Sequence, residues 1–66
     1  MYKAVINGES YDVTVQLIDG YCYVYNVVSE GDVDFLGRFL LRGNKLVEYF
    51  IMSGEEVVIG ELHEEK

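Results

Sequence analysis

Turn signals divide this chain at intervals of about one strand and one turn. Asn7-Gly8, Asp19-Gly20 and Gly43-Asn44 are two-residue hairpin dipeptides. Type I′ and II′ turns need positive φ, which glycine and asparagine tolerate best. Ser29-Glu30-Gly31-Asp32 and Ser53-Gly54-Glu55 read as slightly longer turns. The segments between them are rich in Val, Ile and Tyr, and the chain holds no proline. The pattern predicts strands over roughly 2–6, 9–18, 21–28, 33–42, 45–52 and 56–62. The expected fold is all-β: a single small antiparallel meander or barrel-like sheet of five to six strands. With 66 residues there is room for one domain, expected over 1–62, with 63–66 a frayed acidic tail.

Pairing outward from the turns tests the register. Around Asn7-Gly8, Lys3 meets Asp12 and Tyr2 meets Val13. Around Asp19-Gly20, Leu17 meets Cys22, Val15 meets Val24, and Gln16 meets Tyr23. One face then carries Tyr2, Ala4, Ile6, Tyr11, Val13, Val15, Leu17, Cys22, Val24 and Val28, the expected core. Around Gly43-Asn44, Leu41 meets Leu46 and Leu40 meets Val47. The same register sets Gly37 opposite Phe50, a large ring over a strand glycine.

Residues 34–46 contain no β-branched side chain. The alternative there is an α+β fold: three strands, a helix over about 30–42, then a hairpin. Ser29 would be its N-cap and Gly43 its C-terminal stop. Asp34, Arg38 and Arg42 would share one helix face. Against it, Gly31 and Gly37 would each cost about 1 kcal/mol inside a helix.

Little in the chain suggests catalysis. His63 lies in the expected tail, without the fixed partner an acid–base histidine needs. Cys22 falls on the core face, where a free thiol acts as a small hydrophobe. With one Cys and one His there is no zinc set, and Glu30, Asp32 and Asp34 lack the rest of a calcium loop. Adjacent Glu55 and Glu56 would point to opposite sides of a strand. The expectation is a non-enzymatic protein with no cofactor and no metal. Ser29-Glu30-Gly31-Asp32 through Gly37, and Ser53-Gly54-Glu55 through Gly60, resemble the Gly-Asp turns of biotinyl and lipoyl carrier domains, with Lys45 at the position of the modified lysine. Only Leu46 to Lys66 follow, too little for the second half of that sandwich, so the carrier reading is not adopted.

Charge and aromatic rings suggest binding instead. Net charge is −7. Between Ala4 and Gly37 stand Glu9, Asp12, Asp19, Glu30, Asp32 and Asp34, with no Lys or Arg. Phosphate recognition needs cations, so direct nucleic-acid binding is not expected. No apolar run approaches the roughly 18 residues of a membrane helix, and Met1-Tyr2-Lys3 opens straight into alternation rather than a leader. A cytoplasmic setting is the expectation. Tyr21, Tyr23 and Tyr25 point to one side of a strand, away from the core. The expected partner surface is Tyr21, Tyr23 and Tyr25 with Asp12, Asp19 and Glu30, set against a protein with a basic surface. An inhibitor docking on a nucleic-acid-binding surface is the most concrete version; phage-encoded anti-defence proteins are similar in size and charge. Two rivals are a β module binding a sugar or small molecule through the tyrosines, and a self-assembling structural protein. Two-sided apolarity over 33–52 adds the expectation of a homo-oligomer.

Overall fold

The computed structural model describes residues 1–65. Six strands follow in order: β1 (Tyr2–Ile6), β2 (Glu9–Ile18), β3 (Tyr21–Ser29), β4 (Asp32–Arg42), β5 (Lys45–Phe50) and β6 (Glu55–Glu64). Each pairs antiparallel with the next, and β6 returns to β1 to close a small barrel. The expected fold class holds. The helical alternative over 30–42 does not: these residues form the β3–β4 turn and β4.

The turns act as their sequences require. Asn7 and Gly8 both have positive φ, as do Asp19 and Gly20, which is the type I′ signature. The registers of the first two hairpins follow, with Lys3 opposite Asp12 and Val15 opposite Val24.

Closure runs through β1. Its five residues pair with β2 on one side and with β6 on the other. Ala4 sits between Tyr11 and Leu62 and is fully buried. Gly60 pairs with Ile6, and a Cβ on Gly60 would overlap the carbonyl oxygen of Val5. The approach of the two strands therefore requires glycine at this point.

The barrel interior holds Ala4, Val13, Cys22, Val24, Phe39, Leu46 and Leu62. Tyr2, Ile6, Tyr11 and Val15 pack against them as expected. Leu17 and Val28 do not. Leu17 lies near the tip of the β2–β3 hairpin, beyond the last β1 pairing at Val13, and is 70% exposed. Val28 is left out of the β3–β4 ladder by a bulge and is also exposed. The expected Gly37–Phe50 pair is likewise absent. Gly37 pairs with Val24, and the ring over it is Phe39 of its own strand; a Cβ there would lie 2.7 Å from Phe39 Cζ. Phe50 pairs with Glu55 instead.

The frayed-tail expectation fails for His63 and Glu64, which continue β6 opposite Lys3 and Tyr2. The Glu65 amide donates to the Met1 carbonyl at 2.9 Å. The same expectation for Lys66 lies outside the described residues.

Two substitutions test this core. Gly60→Ala should destabilise the barrel by about 2–4 kcal/mol, the scale of severe steric strain. Val24→Asp should abolish folding, since an unpaired buried carboxylate costs as much as a small domain's whole stability. Thr14→Asp, on the exposed side of β2, should change the thermal midpoint by only a few degrees. Thermal unfolding followed by circular dichroism checks all three.

Candidate interaction surface

The outward side of β2, β3 and β4 carries the tyrosines. Cross-strand pairing sets Tyr21 beside Ile18 and Leu40, Tyr23 beside Gln16 and Arg38, and Tyr25 beside Thr14 and Phe35. All three tyrosines are half-buried. The Tyr25 ring packs on Phe35 with centroids 5.5 Å apart and planes at 55°, and Tyr23 packs on the same ring at 6.2 Å. Such tilted pairs are favourable beyond their buried area. Tyr25 Oη donates weakly to Gln16 Oε1 at 3.4 Å.

Phe35 is the residue that alternation along the strand misplaces. Strict alternation would put it on the face of Phe39 and Leu41, yet it lies outside and is 58% exposed. Two bulges explain this. One, between Val27 and Ser29, adds a residue to β3; the other, between Val24 and Tyr25, adds Leu36 to β4. They compensate, so the register is displaced by one residue only between them. Within that window Phe35 stands opposite Tyr25, and Leu36 packs on the core. No feature of the sequence marks either bulge.

Arg38, Arg42 and Lys45 lie close together in the sequence but form no basic patch. Arg42 Nε donates to Glu56 Oε1 at 3.0 Å, and Lys45 Nζ pairs with Glu61 Oε1. Arg38 joins the aromatic strip: its guanidinium carbon lies 4.4 Å from the centroid of Tyr21, a cation–π contact. Of the acids expected at the site, Asp12 lies 3.3 Å from Lys3 Nζ. The hydrogen bond and charge of Asp12, with Glu65 nearby, raise the pKa of Lys3. Asp19 and Glu30 are exposed at the two turns flanking β3. Strand geometry puts them on the order of 30 Å apart. The tyrosines thus form one row, and the acids frame its ends rather than clustering beside it.

Beside Tyr25 lies an open groove of about 300 Å³, lined by Thr14, Gln16, Tyr25 and Val33. Cys22 is buried, and desolvation pushes its thiol pKa up, away from nucleophilic use. Among the described residues, no three His, Cys, Asp or Glu side chains are placed to hold a metal ion. No helix among them is long and apolar enough to cross a membrane.

His63 Nε2 lies 3.1 Å from Glu61 Oε2, so Glu61 bridges Lys45 and His63. The hydrogen bond from Lys45, then that from His63, holds the Glu61 carboxyl below its ordinary value of 4.5. A depressed folded pKa stabilises above the unfolded value and is lost as pH falls through the folded one. The midpoint of Glu61→Gln should therefore fall less steeply than wild type as pH drops below 4.5, with the two proteins converging in acid. Thermal melts at a series of acid pH values measure this. Comparison with protein-family models, curated proteins and solved structures yields no match, so function has to be read from these side chains themselves.

Proposed function

We propose that this chain is a small acidic binding protein whose outward aromatic strip docks on a basic surface of another protein. The supporting observation is Phe35, a large ring 58% exposed yet packed between Tyr23 and Tyr25. A preformed strip of rings loses little side-chain freedom on binding, and aromatic residues dominate interface hot spots. The framing acids and the net charge of −7 favour a basic partner mainly through the association rate. A surface made for nucleic acid is the most concrete such partner, and occupying it would inhibit. Arg38 stands at one end of the strip, where it calls for a local acceptor or a ring on the partner.

The groove beside Tyr25 favours a second reading, a small polar ligand such as a sugar stacked on the tyrosine. Its volume of about 300 Å³ lies at the lower end of ligand pockets.

Binding kinetics against a panel of purified basic proteins separate the two. Phe35→Ser and Tyr25→Ser should each raise the dissociation rate by about tenfold or more. Asp19→Lys with Glu30→Lys should slow association and flatten its dependence on salt around 0.15 M, roughly the range in which the screening length shortens below 10 Å. A strip whose removal leaves every complex unchanged would overturn the proposal. Quenching of tyrosine fluorescence by sugars, lost in Tyr25→Ser, would favour the groove.

A further inference from the structure

The barrel is not closed evenly. The ladder between β4 and β5 consists of Leu40 with Val47, Leu41 with Leu46, and Arg42 with Lys45. Over Asp32–Phe39, β4 pairs with β3 alone; over Glu48–Phe50, β5 pairs with β6 alone. The two strands diverge, and a wedge opens between them. Along it β4 presents a strand edge of roughly 26 Å at strand spacing. Among the described residues, the outward amide and carbonyl groups of that edge have no ladder partner, which is the template for strand addition.

A side-chain pocket sits at the closed end of the wedge. A depression of about 120 Å³ is lined by Tyr21, Arg38, Leu40, Val47, Glu48, Tyr49 and Ile51. Val47 is buried although it stands outside the barrel core, and Ile51 is 85% exposed at the rim. The lining is mixed: Leu40, Val47 and Ile51 form an aliphatic patch among the polar groups of Arg38, Glu48 and the two tyrosines, with room for one aliphatic side chain from an added strand.

Charge selects the occupant. Asp32 and Asp34 lie on the open stretch of β4, and Glu48 lies across the wedge on β5. Arg38 is the one cation among the pocket's lining residues, and its guanidinium is stacked on Tyr21. A second copy of this chain would bring a further −7 to this edge. We infer that the wedge between β4 and β5 is a strand-addition site for an extended segment of another protein, one that alternates Lys or Arg with aliphatic residues and seats one aliphatic side chain between Leu40, Val47 and Ile51. This rests on the reading of a protein partner, but it uses the β4 edge and meets the aromatic strip only at its Tyr21–Arg38 end.

A heptapeptide alternating lysine and valine, blocked at both ends, is the probe, titrated into the isotope-labelled full chain. Chemical-shift changes should be confined to Tyr21, 32–40 and 47–51, with cross-strand proton contacts between peptide and β4. Ile51→Ser and Asp34→Lys, both at exposed positions, should each weaken the peptide by about tenfold. Tyr25→Ser, which would disable the aromatic strip, should leave peptide affinity within about twofold. Absence of shifts at about 1 mM peptide, the weak end of useful affinity, would overturn the inference. Equal binding of a blocked heptapeptide alternating glutamate and valine would do the same. Loss of peptide binding in Tyr25→Ser would relocate the contact to the strip, sinking the edge site while leaving the proposed function standing. Contacts between β4 strands of differently labelled copies, without peptide, would assign the edge to self-association instead.

Discussion

Everything in this molecule depends on five residues of β1 being able to bond on both sides at once. An open sheet of this size has one apolar face and nothing to cover it. Rolling the sheet up makes each strand cover the others, and β1 is the strand that completes the roll. It can do so because Ala4 is small enough for the narrow interior and because Gly60 lets β6 come close to Val5. β1 is also the shortest strand, while β2, β4 and β6 have ten or eleven residues. The closed girdle therefore spans only part of their length. The remaining lengths project as arms, and the molecule measures 39 × 20 × 18 Å.

The arms explain most of what departs from simple alternation. The first two hairpins are legible because dipeptides with positive φ fix both the turn and the register. Leu17 has the correct parity for the core but lies past the girdle, where there is no core to enter. Parity tells which face a residue takes, whereas depth depends on the length of the neighbouring strand, a non-local quantity. The bulges are harder still. They cancel, so the pairing of Val24 with Gly37 looks the same with or without them. Only the segment between them changes, exchanging Leu36 and Phe35 between the inside and the outside. Counting from the turn cannot detect a displacement that is undone a few residues later. The tyrosine row was legible because it lies wholly on β3 with strict alternation. Its central partner Phe35 was not, because its position depends on the bulges.

Electrostatics follows the same division between local and non-local effects. In the sequence, Arg38, Arg42 and Lys45 look like a basic patch. In the barrel, β6 runs beside β5 and places Glu56 and Glu61 against Arg42 and Lys45. Exposed pairs of this kind add little stability. What they remove is the local positive potential, leaving the acids to dominate the field at the surface. Arg38 escapes neutralisation by stacking on Tyr21, which places a directional donor at the end of an otherwise apolar strip.

A long open strand edge is a hazard for any β protein, and the features that manage it here also limit which strands could add to it. Bulges and edge charges are the usual means of stopping two sheets from joining. β4 has both: Leu36 breaks its regular spacing, and Asp32 and Asp34 lie along its open half. A bulge shortens the run of regular hydrogen-bonding positions, so only a short added strand can be in register throughout. Carboxylates repel another acidic edge but attract a basic one. The protection is therefore selective, strongest against copies of the same chain and weakest against a short, extended, basic segment. The uneven closure that begins with the shortness of β1 thus leaves an edge whose own safeguards favour one class of occupant over the rest.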